Sequence, residues 1–231
     1  MKKRRHSGLV VNVFLVLIIA ALYALTSGGD AVQTMASLYA GPVYRGSSED
    51  AIALEFAVSW DASAMEGILD ILKEKGARAT FAVSGEYARL RPDMVARIVG
   101  DGHELATMGD VPSFDGDAAA VRADIEASLK SIEEASGVTP ALYYSGAREI
   151  PASARAARKL ALTHVLCTRD LRSASGDAND IIERGLNEPI IGSIILMQPT
   201  RAAGEALSGL IEGFSTKGIR VVTVSEVIGP G

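Results

Sequence analysis

Three histidines, one cysteine and 28 carboxylates are the groups of this chain best suited to acid–base, nucleophilic or metal chemistry. A catalytic metal site needs two or three imidazole or carboxylate ligands held together, and His6, His103 and His164 are widely separated in sequence. His103-Glu104 opens like the helical zinc-protease pattern, but the position of its second histidine holds Thr107. Cys167 has no adjoining histidine to take its proton and sits in an apolar run, which reads as a buried, inert thiol. Gly192-Ser193 opens an apolar run and lacks the strained strand-to-helix turn that exposes a nucleophilic serine. His103 and His164 also stand at the starts of apolar runs, so both are read as structural. The groups that remain are polar and aromatic side chains placed where apolar runs end.

Those runs define the elements that position them. From residue 51 onward seven short segments are rich in β-branched or aromatic residues: 52–58, 79–83, 104–107, 141–144, 164–168, 193–197 and 219–224. Amphipathic stretches lie between them. Met65, Ile68, Leu69, Ile71 and Leu72 form one apolar stripe, and Val121, Ile125, Leu129 and Ile132 form another. Gly76, Gly102, Gly137 and Gly218 each follow a helical stretch, as C-terminal capping glycines do. Alternation of strand and helix implies a parallel sheet with right-handed crossovers, either a slightly incomplete barrel or a doubly wound sheet. In both, ligands bind at the carboxyl ends of the strands. That rule gathers Trp60, Asp61, Asp110, Tyr144, Arg148, Asp170 and Gln198 at one end. Trp60 offers a face on which a sugar can stack, and Asp110, Tyr144 and Gln198 offer hydrogen bonds to its hydroxyls. Arg148 and Asp170 are expected to form an ion pair. The competing reading is a solvated polar rim with Trp60 packed over the barrel end.

Composition excludes several classes. Apolar residues make up 48% of the 231, too many for a disordered chain. The net charge of −5 leaves no basic footprint for nucleic acid, and 5% aromatic content does not build a stacking platform for single strands. A single cysteine rules out intrachain disulfides and cysteine-rich zinc modules.

The first 27 residues read as a separate unit. Lys2, Lys3, Arg4 and Arg5 precede residues 8–25, which are uncharged and contain one amide, Asn12. At about 1.5 Å per residue such a run spans the hydrocarbon core as a helix. It reads as a signal anchor, with a cleaved signal peptide as the alternative. The basic flank would stay in the cytoplasm and everything after it would be exported. Residues 28–49 read as a linker and 50–231 as the exported domain.

The exported part resembles the polysaccharide deacetylases, the NodB-homology domains of carbohydrate esterase family 4. The residues that carry the resemblance are 52–60, Gly67-Ile68-Leu69-Asp70-Ile71-Leu72, Gly76-Ala77-Arg78-Ala79-Thr80-Phe81-Ala82-Val83 and Gly102-His103-Glu104-Leu105. Further matches are Gly137-Val138-Thr139-Pro140, Gly192-Ser193-Ile194-Ile195-Leu196 and the segment 217–227. Ser59-Trp60 resembles the sporulation-associated branch. The resemblance covers roughly residues 50–228 and implies an α/β fold, the family's distorted (β/α)7 TIM-like barrel.

It also implies a chemistry: a divalent metal on Asp-His-His, an aspartate base and a histidine acid, with the metal activating water and polarising the acetyl carbonyl. This chain departs from the pattern at each of those positions. The base position is Ala57 and the metal-aspartate position Val58. The two histidine positions hold Met108 and Pro112, and the Arg-Pro-Pro motif becomes Tyr144-Ser145-Gly146. Asp170 aligns with one acidic residue of the fourth motif and is the one weak catalytic candidate, while Ser173 and Ala174 replace an Asp-Trp pair. The final Leu-His becomes Met197-Gln198. Zinc, the family metal, is therefore expected to be absent. The expected function is that of a membrane-held, non-catalytic relative serving the cell envelope as a glycan-binding or scaffolding module. The alternatives are a metal-dependent hydrolase of N-acetyl groups using a relocated site drawn from Asp61, Asp110, Asp170 and Glu55, and a purely structural partner of another envelope protein.

Overall fold

The apolar runs form strands of one curled sheet, and the amphipathic stretches pack on its outer face. The computed structural model describes residue 15 and residues 41–229, apart from 61, 113, 115, 149 and 188–190. In chain order the elements are β1 (Ala51–Val58), α1 (Met65–Glu74), β2 (Thr80–Val83), α2 (Gly85–Leu90), α3 (Pro92–Gly100), β3 (Glu104–Thr107), α4 (Ala118–Ser136), β4 (Leu142–Tyr144), α5 (Ile150–Lys159), β5 (Thr163–Val165), β6 (Arg169–Asp170), α6 (Ala178–Leu186), β7 (Ile194–Met197), α7 (Arg201–Thr216), β8 (Arg220–Val222) and α8 (Val224–Ile228). All lie in the unit Pro42–Gly231.

Every strand ladder is parallel, in the order β5-β4-β3-β2-β1-β7-β6, with β8 paired to residues Ala51 to Ala53 of β1. The result is a curled parallel half-barrel, open between β5 and β6. At that opening Val43 bridges to Val165 and Arg45 to Ser193. No helix among the described residues is long and apolar enough to cross a membrane, and the expected span at 8–25 lies outside the described residues, residue 15 excepted.

Alternation along β1 separates two cores, because successive side chains point to opposite faces. Ile52, Leu54, Phe56 and Val58 join Met65, Ile68, Leu69 and Leu72 of α1 and Leu207, Leu210 and Phe214 of α7 in the outer core. Each such buried side chain contributes about 1.5–3 kcal/mol. Ala51, Ala53, Ala82 and Ala106 line the inner face with Leu142, Tyr144 and Leu196, small residues suiting a tightly curled wall. Glu55 and Ala57 share that inner face by the same alternation.

The helices begin and end as their sequences require. Asp117 caps α4 by accepting from the amides of Ala119 and Ala120, and Gly137 ends it with φ of 72°, a left-handed conformation that a side chain disfavours. Ser84, Thr200 and Thr223 cap the helices that follow β2, β7 and β8; one residue joins strand to helix after β2 and β8, and three do so after β7.

One expected strand divides in two. Residues 164–168 read as a single run, yet β5 ends at Val165 and β6 starts at Arg169. Leu166 donates to the Val43 carbonyl, and Thr168 donates to the Ile194 carbonyl, so the chain leaves the β4 side and joins the β7 edge within three residues. Thr168 is therefore not a strand terminus, and the short β6 has no apolar pattern by which to be found.

Candidate functional site

The carboxyl ends of the strands carry a site without the donors its family chemistry needs. Ala57 sits half-buried against the inner core, and Val58 is fully covered in the outer one. Met108 packs on the inner core, and Pro112 follows two residues after the Gly109-Asp110 turn. A divalent cation needs oxygen or nitrogen donors, and methyl, thioether and pyrrolidine groups in these positions do not fit one. Among the described residues no group of three or more His, Cys, Asp or Glu side chains is arranged to hold a metal ion. Ser173 and Gln198, at the positions of the family's acidic residue and histidine, bond to each other instead. The Ser173 hydroxyl donates to Gln198 Oε1 at 3.0 Å, and the Gln198 backbone N–H donates to Ser173 Oγ at 2.6 Å. Gln198 is thus held in a local lock. Asp170 is exposed and accepts from the Arg172 amide at 2.7 Å, a turn contact.

Arg148 does not pair with Asp170, contrary to the expectation from sequence. Its guanidinium lies 2.9 Å from Asp124 Oδ2 on α4, with both side chains 5% exposed. It also donates to the Val111 carbonyl at 2.6 Å and to the Tyr143 hydroxyl at 3.2 Å, while Asp124 Oδ1 accepts from the Val111 amide at 3.0 Å. The reason is placement: Asp124 lies one turn after Val121 and next to Ile125 on the buried side of α4, whereas Asp170 is on the exposed edge of β6. The pair clamps the turn that carries Met108 and Pro112. Gly109 has φ of +89°, and a Cβ there would meet Asp124 Oδ2 at 2.2 Å and Arg148 Nη1 at 2.4 Å, so the turn is built around the ion pair.

Inside the half-barrel, Glu55 is fully buried and neither carboxyl oxygen has a hydrogen-bond partner among the described residues. Burial, helped by the charge of Glu104, pushes its pKa up to about 8. Burial also raises Tyr144 strongly, with smaller contributions from Cys167, Glu55 and Asp170. The Cys167 thiol goes up to about 11, chiefly through burial, which agrees with an inert thiol. Both histidines are structural. His164 bonds Ser145 Oγ at 2.8 Å and stacks on Tyr143, and burial depresses it to about 4. His103 accepts from the Ala79 amide and tilts against Phe81, and burial lowers it too.

Trp60 stands 66% exposed just past β1, its indole N–H donating to Glu86 Oε2 at 2.9 Å. With Ser59, Ala62, Glu86, Tyr87 and Leu90 it lines a groove of about 350 Å³. Asp110 lies beside the start of α2, where its carbonyl accepts from the Glu86 amide, but its carboxylate is engaged by Arg89. Trp60 and Asp110 thus flank one α2 terminus. Tyr144 belongs to the inner wall, and Gln198 is locked to Ser173. Asp61 lies outside the described residues. Glu86, Tyr87 and Leu90 were missed from sequence, although the strand-end rule applied to β2 leads straight to Ser84 and the helix it caps.

Residues 45–165, just over half the chain, match the family model described as polysaccharide deacetylase. An uncharacterized Bacillus subtilis protein, YlxY, is 28% identical over 200 residues, covering 83% of this chain and 62% of its own, so this chain spans less than two thirds of that relative. BA3943, a CE4 family pseudoenzyme from Bacillus anthracis, superposes with a TM-score of 0.77 at 22% identity, covering 81% of this chain and 69% of that one. A mutant of BA3943 described as having restored enzymatic activity gives 0.76. The peptidoglycan deacetylase PdaC from Bacillus subtilis gives 0.68 at 22% identity, covering 77% and 89%. Fold, strand order and the matched segment agree with the motifs read from the sequence: the chain belongs to the polysaccharide deacetylase family.

Proposed function

We propose that this chain is a non-catalytic deacetylase-family domain that binds glycan at the cell envelope. The observation that carries the reading is the replacement of every donor in the family's reaction centre by Ala57, Val58, Met108, Pro112 and Gln198, while an exposed tryptophan groove is kept beside it. Losing members of a catalytic unit costs on the order of 10⁴-fold or more in rate. The relocated-site alternative finds little support. Asp110 is neutralised by Arg89, Asp170 holds a turn, and Glu55 is sealed in the barrel. That BA3943 is called a pseudoenzyme adds that this scaffold persists without its activity.

The test is acetate release from N-acetylglucosamine oligomers and peptidoglycan fragments, with and without added zinc. No turnover above background and no stoichiometric zinc after dialysis against a mild chelator are expected. Zinc-dependent release of acetate would return the chain to the enzymes.

Residues 8–25 would anchor the domain with its bulk outside, following the basic flank. Protease added to intact cells is expected to remove the domain. Protection until lysis would reverse the topology. Isolation of wall polymer with the domain favours glycan binding, whereas recovery only with another envelope protein favours the scaffold role.

A further inference from the structure

We propose that the groove between Trp60 and Leu90 is a subsite for the protonated amine of an N-deacetylated amino sugar, so that this chain reads deacetylated rather than acetylated glycan. The inference rests on the glycan-binding reading and names which glycan.

Two features of the groove converge on a cationic sugar. First, the walls are apolar and open: Trp60 is 66% and Leu90 70% exposed, so a flat ring can slide against the indole. A pyranose presents an axial C–H face to such a platform, leaving its equatorial substituents at the platform's edge. Second, that edge is acidic. Glu86 Oε2 accepts the indole N–H at 2.9 Å, which fixes the carboxylate beside the ring, and Glu86 is in no ion pair among the described residues. Arg91, the only guanidinium lining the groove among the described residues, is paired with Asp93.

The substituent at the indole edge decides between sugars. An ammonium there donates to Glu86 in a charge-assisted hydrogen bond. An acetamide carries no charge, so its N–H makes only an ordinary hydrogen bond to that position, without the charge assistance an ammonium has. The same tryptophan therefore serves both sugars, and Glu86 discriminates between them.

The experiment titrates the full-length chain with tetramers of glucosamine and of N-acetylglucosamine at pH 6.5, following Trp60, the only tryptophan. The glucosamine tetramer should bind about 10-fold tighter in dilute buffer, and the preference should fade toward about 1 M salt, where exposed charges are screened. Glu86→Gln should erase the preference and leave the acetylated tetramer unchanged. Trp60→Ala, followed by calorimetry, should weaken both. Equal affinity for the two tetramers, or a preference that survives Glu86→Gln, overturns the inference while leaving glycan binding standing. A tri-lysine peptide that matches the glucosamine tetramer also overturns it, because the site would then be a general cation site. No response to either tetramer at millimolar concentration overturns both the inference and the reading beneath it.

Discussion

Arg148→Met should destabilise the domain by about 3–5 kcal/mol, the cost of leaving one member of a buried ion pair without its partner. Asp124 would remain 5% exposed with its charge uncompensated, and the Val111 carbonyl would lose a 2.6 Å donor. Urea unfolding measures the loss as a fall in midpoint at unchanged slope. Adding Asp124→Leu should recover most of it, since apolar replacements of a whole buried pair are often neutral. The double variant should still lose amide-exchange protection at Val111, because Asp124 Oδ1 no longer holds that amide. A single variant costing less than about 1 kcal/mol would show that the pair is solvated and does not clamp the turn.

That clamp illustrates where the sequence could be read and where it could not. β1 to β4, β7 and β8 were legible because apolar runs with β-branched residues alternate with helical stripes, and the βα pattern leaves one handedness for the crossovers. The β5–β6 break was not legible. It is imposed by hydrogen bonds from Leu166 to Val43 and from Thr168 to Ile194, pairings distant in sequence that leave no local period. Which side chains stand at the family's metal positions could be read residue by residue, because that is a matter of side-chain identity. Partners of charged groups could not. Arg148 is slightly nearer in sequence to Asp170 than to Asp124, and only the placement of α4 decides between them. A fuller reading was nevertheless available: Asp124 breaks the buried stripe of α4, and Glu55 breaks an apolar strand on its inner face. Both are charges where a core residue belongs, which is the sequence signature of a buried network or a strained group.

Glu55 yields the second large expectation, a change in the sign of the domain's response to pH. Its carboxyl is fully buried without a partner, and burial raises it from 4.5 to about 8. Below pH 4.5 the group is neutral in both folded and unfolded chains and costs nothing through linkage. Between those values the unfolded chain ionises while the folded one holds its proton, so stability falls by about 1.4 kcal/mol per pH unit and by about 4 kcal/mol in all at pH 8. His164 acts in the opposite direction. Depressed from 6.5 to about 4, it stays neutral in the fold while the unfolded chain takes up a proton, so stability falls as pH drops below 6.5. His103 shifts in the same direction as His164. From pH 6.5 down to 4.5 the gain from Glu55 and the loss from His164 nearly cancel, while from 6.5 up to 8 Glu55 acts without that opposition. Wild-type stability should therefore be greatest near pH 6 and decline toward pH 8. Glu55→Gln keeps the shape and removes the ionisation. It should match wild type within about 1 kcal/mol at pH 5 and exceed it by about 4 kcal/mol at pH 8, and its stability should fall more steeply below pH 6.5 because His164 is no longer offset. Thermal unfolding of the two proteins across pH 4.5–8.5 checks this. Parallel curves, separated by a constant at every pH, would mean that Glu55 is ionised and solvated in the fold, and that the barrel interior is open to water.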